Sequence, residues 1–68
     1  MVNTNKLRGR IVEKGMNNII VAEMMCLSKS TLGKKIRNQA DFTLNEAVFL
    51  MKLLNIPKSE FFDYFIYE

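Results

Sequence analysis

Asn17, Ser28, Thr43 and Pro57 are helix-opening residues, and they cut this 68-residue chain into short segments. Asn and Ser side chains accept from the free N–H groups of a first helical turn, and Pro suits a first-turn position. Thr43-Leu44-Asn45-Glu46 adds a capping box, with a hydroxyl at the cap and a carboxylate three residues on. Gly15 and Asn55 read as helix ends. Segments this short predict an all-α chain of five helices, near residues 5–14, 18–25, 29–37, 44–54 and 58–64, with no internal strand.

Apolar spacing orients those helices. Leu7 and Ile11, Val21 and Met25, and Leu32 and Ile36 are pairs four apart, each on one face. Met16 can staple the start of the second helix. Leu44, Ala47, Val48, Met51 and Leu54 make one stripe of the fourth helix, and Phe49, Leu50 and Leu53 a second. That helix is therefore expected to be apolar nearly all round and central. Met16, Met24, Met25 and Met51 read as core filler. Residues 38–42 read as a polar connection. Short connections throughout suit one compact helical bundle over residues 1–68.

Several function classes lose support. Histidine is absent, Cys26 is the lone cysteine, and there is no Gly-rich phosphate loop, so an enzyme is not expected. No cofactor, metal or small-molecule substrate is expected either. No apolar run approaches the roughly 18 residues of a membrane span. MVNTNKLRGR at the N-terminus has no apolar core of the secretory kind. A single cysteine agrees with a reducing cytoplasm.

Charge is divided unevenly. Residues 1–38 hold eight Lys and Arg and two acids, a net +6, whereas residues 39–68 hold two Lys and five acids, a net −3. One half is built to meet an anion, and a polyphosphate is the leading candidate. The basic residues concentrate in LSKSTLGKKIRN, residues 27–38, where four of twelve residues are Lys or Arg and none is acidic. Leu27, Leu32 and Ile36 anchor this segment, and Lys29, Ser30, Gly33, Lys34 and Arg37 are expected to project from it. Such a helix fits the DNA major groove. Two helices joined by the three residues Cys26-Leu27-Ser28 would cross steeply, so that the second projects.

GMNNIIVAEMMCLSKSTLGKKIRN, residues 15–38, resembles the lambda-repressor-like (Cro/XRE-type) helix-turn-helix proteins. The shared features are Asn17 and Asn18 opening the second helix, small Ala22 within it, and the run Leu27-Ser28-Lys29-Ser30-Thr31-Leu32. Phe42-Thr43-Leu44-Asn45-Glu46 and Leu54-Asn55-Ile56 look like the phage-type branch. The resemblance spans about residues 5–62 and implies a double-stranded DNA-binding regulator in a bacterial or phage-infected cytoplasm. It implies base contacts from Lys29, Ser30, Gly33 and Lys34. Backbone contacts are expected from Asn17, Asn18, Ser28, Thr31, Lys35, Arg37 and Asn38. Arg8 and Arg10 are expected to be solvated.

Three positions depart from the family pattern. Cys26 stands where relatives usually carry glycine at a positive φ. Lys35 stands where they carry an apolar residue. Gly33 stands where many carry a larger polar residue.

The C-terminal segment 61–68 is more aromatic than a final helix needs. Phe62, Tyr64, Phe65, Ile66 and Tyr67 are the candidate homodimer contact; two protomers would read half-sites about 34–36 Å apart. An alternative reading is a protein-interaction module such as an antirepressor, using Ile19, Ile20 and the aromatic segment. RNA binding is weaker, because the basic face has no aromatic residues on which unpaired bases could stack.

Overall fold

Each of the first four helices opens on a side-chain cap. The computed structural model describes residues 1–66. Its helices are α1 (Thr4–Glu13), α2 (Asn18–Met24), α3 (Lys29–Ile36), α4 (Leu44–Leu53) and α5 (Phe61–Tyr64), the last preceded by a 3₁₀ turn, Lys58–Glu60. Asn17 Oδ1 accepts from the Ile20 N–H at 3.0 Å, and Ser28 Oγ from the Thr31 N–H at 3.0 Å. Both bonds of the Thr43–Glu46 box are formed. Asn3 caps α1 in the same way.

The same four helices also end alike. Gly15, Cys26, Asn38 and Asn55 have φ of 70°, 58°, 63° and 54°. Each donates its N–H three residues back, and the next residue donates five back, as in Cys26 to Glu23 O and Leu27 to Ala22 O. This is the Schellman arrangement, and it satisfies carbonyls that a helix end leaves open. Glycine takes the left-handed conformation without penalty and asparagine tolerates it. Cysteine does not share that tolerance, so the Cys26 turn keeps the glycine-type backbone under strain.

Between these ends lies one core. Leu7, Val21, Leu32, Leu50, Leu54 and Phe65 are wholly buried, with Ile11, Ala22, Ile36, Phe42 and Ala47 beside them. Phe42 thus makes the 38–42 connection less polar than its sequence reads, and its ring meets Phe65 edge-on at 5.9 Å. The chain ends are paired. Met1 and Ile66 exchange two main-chain hydrogen bonds, and Val2 bridges Phe65 in antiparallel fashion. Among the described residues there is no longer strand.

Two expectations about packing are corrected. α4 is not surrounded: Leu44, Val48 and Phe49 are 66%, 42% and 43% exposed. Ala47, Leu50, Met51 and the C-cap Leu54 are buried in the core and Leu53 packs partly against it, but the rest of the apolar surface stays open, because so few short helices cannot enclose one of their number. Met24 is exposed rather than core filler, whereas Met51 is buried and Met16 and Met25 pack against the core. No helix among the described residues is long and apolar enough to cross a membrane.

Candidate nucleic-acid interface

Steric economy sets the stance of α3. Leu32 and Ile36 anchor its inner face, Leu27 packs partly against the core, and Ser28 fixes its first turn. Lys29, Ser30, Thr31 and Lys34 are left exposed. The side chains of Lys29, Lys34 and Arg37 form no hydrogen bond or ion pair among the described residues. α3 and its C-cap Arg37 therefore offer three uncompensated cations and two hydroxyls from one short stretch.

Several residues expected at this surface have other partners. Gly33 is buried, not projecting, because the Arg37 guanidinium lies over it: a Cβ on Gly33 would stand 3.0 Å from Arg37 Nη1. Lys35 turns inward to the Glu46 carboxylate, with only 13% of its side chain exposed. That ion pair takes it away from a phosphate role. Asn38 is tied to the N-terminal segment instead. Its Oδ1 accepts from the Val2 N–H at 2.7 Å, and its Nδ2 donates to Val2 O at 3.0 Å.

Asn17, Asn18, Ser28 and Thr31 stand near the openings of α2 and α3. Asn17 and Ser28 act as caps there, and Ser28 Oγ also donates to Thr31 Oγ1 at 2.8 Å. Asn18 is half-buried in the first turn of α2.

Burial works to raise the Glu46 carboxyl. The hydrogen bonds from Lys35 and Thr43, together with the Lys35 charge, outweigh it and hold the carboxyl below its ordinary value. Arg10, expected in solvent, hydrogen-bonds Leu54 O at 3.0 Å and Asn55 O at 2.7 Å, holding the end of α4. Nothing local in the sequence signals that contact, since its partners lie 44 and 45 residues away. Arg8 is exposed as expected.

The expected dimer contact is also corrected. Tyr64 is 5% exposed and Phe65 is wholly buried, because they seal the core under α1 and the paired chain ends. Phe62 and Ile66 remain exposed, and Tyr67 lies outside the described residues. Ile19 and Ile20 are exposed on α2. An apolar groove of about 580 Å³ runs beside Leu44, Val48, Ile56 and Phe61, and none of its lining residues belongs to α3. No cluster of His, Cys, Asp or Glu among the described residues is placed to hold a metal ion.

No curated protein and no solved structure matches the chain. The model of a family described as "Protein of unknown function (DUF739)" matches residues 2–68, and the chain belongs to that family.

Proposed function

We propose that this protein is a sequence-specific double-stranded DNA-binding regulator, acting in the cytoplasm of a bacterial or phage-infected cell. The observation that carries this reading is the exposed face of α3, where Lys29, Lys34 and Arg37 stand without a carboxylate partner. A cationic helix held by its inner face and capped at its start is suited to enter a major groove. The likeness of residues 15–38 to the lambda-repressor-like helix-turn-helix proteins supports the same reading. By that likeness the protein is a Cro-like repressor that occludes a promoter and needs no cofactor or catalytic group.

Lys29, Ser30 and Lys34 contact bases in this proposal. Asn17, Asn18, Ser28 and Thr31 contact phosphate, where a cap and a phosphate ligand can coexist at one helix start. A homodimer is proposed with it, its contact reduced to Phe62 and Ile66. The antirepressor reading is supported by exposed Ile19, Ile20, Phe62 and Ile66, while Tyr64 and Phe65 of the aromatic segment are buried.

Retention of randomised duplex, followed by selection of the bound sequences, tests the reading. Binding should be sequence-dependent and should weaken steeply with salt. Lys29→Ala and Lys34→Ala should each weaken it more than Lys58→Ala. Equal losses from all three would remove α3 from the interface, and no binding to any duplex at about 50 mM salt would favour a protein partner.

A further inference from the structure

We propose that Gly33 is a seat for Arg37, and that the Arg37 guanidinium, placed through the missing side chain of residue 33, reads a guanine. The proposal rests on the DNA-binding reading and assigns a specificity-determining residue within it.

Ser30, Gly33, Lys34 and Arg37 form one stripe of α3, at spacings of three, four and seven from Ser30. Helix side chains lean toward the N-terminus, so residue 37 naturally covers residue 33. Ordinarily a Cβ would keep such a side chain off the backbone. At Gly33 there is none, and Arg37 Nη1, Cζ and Nη2 lie 3.0, 3.6 and 3.7 Å from where it would be. Nη1 makes the close approach and Cζ and Nη2 lie just behind it, so the end of the guanidinium covers the site.

The consequence is a displaced charge. Arg37 is the C-cap that follows the last residue of α3. Folded back, its guanidinium stands at Gly33, near the middle of the helix. Its side chain has no hydrogen-bond or ion-pair partner among the described residues, so its donors remain available. A planar fork of this kind matches the O6 and N7 acceptors of guanine in the major groove. The position that Gly33 leaves empty is thus filled from one turn later. Glycine is otherwise unfavourable inside a helix.

Selection from a randomised duplex, followed by anisotropy titrations of single-position duplex variants, tests this. The proteins compared are the wild type, Arg37→Ala and Gly33→Ala. Arg37→Ala should lose a guanine preference at one position of the selected site, by roughly 5- to 100-fold, and keep the others. Gly33→Ala meets only the end of a flexible side chain, so it should fold with equal or higher thermal stability and lose the same preference. Uniform weakening of Arg37→Ala on every sequence, with a shallower salt slope, would make Arg37 a phosphate ligand and overturn the proposal. Unchanged selection by Gly33→Ala would overturn the seat. A wild type that enriches no sequence would overturn the DNA-binding reading itself, a result distinct from both.

Discussion

Lys35 and Glu46 join α3 to the first turn of α4, and the same carboxylate oxygen accepts from the Thr43 N–H. One group thus completes a helix cap and fixes the spacing of the basic helix from its neighbour. Its carboxyl is held below the ordinary value of 4.5. A lowered folded value means that the stabilisation is present above the unfolded value and is lost as pH falls through the folded one. Glu46→Gln keeps a capping side chain but removes the charge. It should reduce stability at neutral pH by roughly 1–2 kcal/mol. The two proteins should converge only once pH has fallen below that lowered folded value. Urea titrations across that range read the difference; parallel curves at all pH values would show that the pair does not contribute.

Cys26 holds a φ of 58° in the turn between α2 and α3. A non-glycine residue there costs about 1–2 kcal/mol. Cys26→Gly removes that strain but makes the unfolded chain more flexible, so a net gain of about 1 kcal/mol is expected. That corresponds to a rise in Tm of roughly 4–8 °C. Cys26→Val should lower Tm, because a β-branched residue tolerates this conformation least. Thermal melts followed by circular dichroism give both signs.

Arg8 and Arg10 carry the same charge two residues apart on α1, yet only Arg10 reaches the carbonyls that end α4. Arg10→Ala should destabilise by roughly 1.5–3 kcal/mol, the range for hydrogen bonds to a charged group. Arg8→Ala should change stability by less than about 0.5 kcal/mol. Equilibrium unfolding in urea separates the two, and similar losses from both would mean that net charge, not the α4 contact, sets the effect.

The boundary between what could and could not be read from the sequence follows contact distance. Asn17, Ser28 and Thr43 each bond a backbone group three residues on, so the caps and most helix limits were legible. The glycine-like position of Cys26 was legible from the resemblance, and its positive φ agrees. Lys35, Asn38 and Arg10 were misplaced because their partners lie 11, 36 and 44 residues away. Periodicity put Gly33 among the projecting residues of α3 but could not show Arg37 folding back to bury it. On α4 the opposite error arose: apolar residues on every face suggested full burial, yet too little protein exists to cover Leu44 and Val48.

The aromatic segment makes two opposite predictions three residues apart. Phe65 is wholly buried against Phe42 and Phe61, and its N–H donates to Phe61 O at 2.8 Å. Phe65→Ala should cost roughly 3–5 kcal/mol, a large part of what a small domain possesses, and should leave much of the protein unfolded at 25 °C, about where these magnitudes apply. Phe62 is 75% exposed, so Phe62→Ala should leave the urea midpoint of the monomer nearly unchanged. If Phe62 serves the proposed homodimer, the same substitution should shift sedimentation toward the monomer and weaken binding to a two-half-site duplex more than to a single half-site. A Phe62→Ala protein with unchanged sedimentation would remove Phe62 from the interface and leave Ile66 as the remaining described contact.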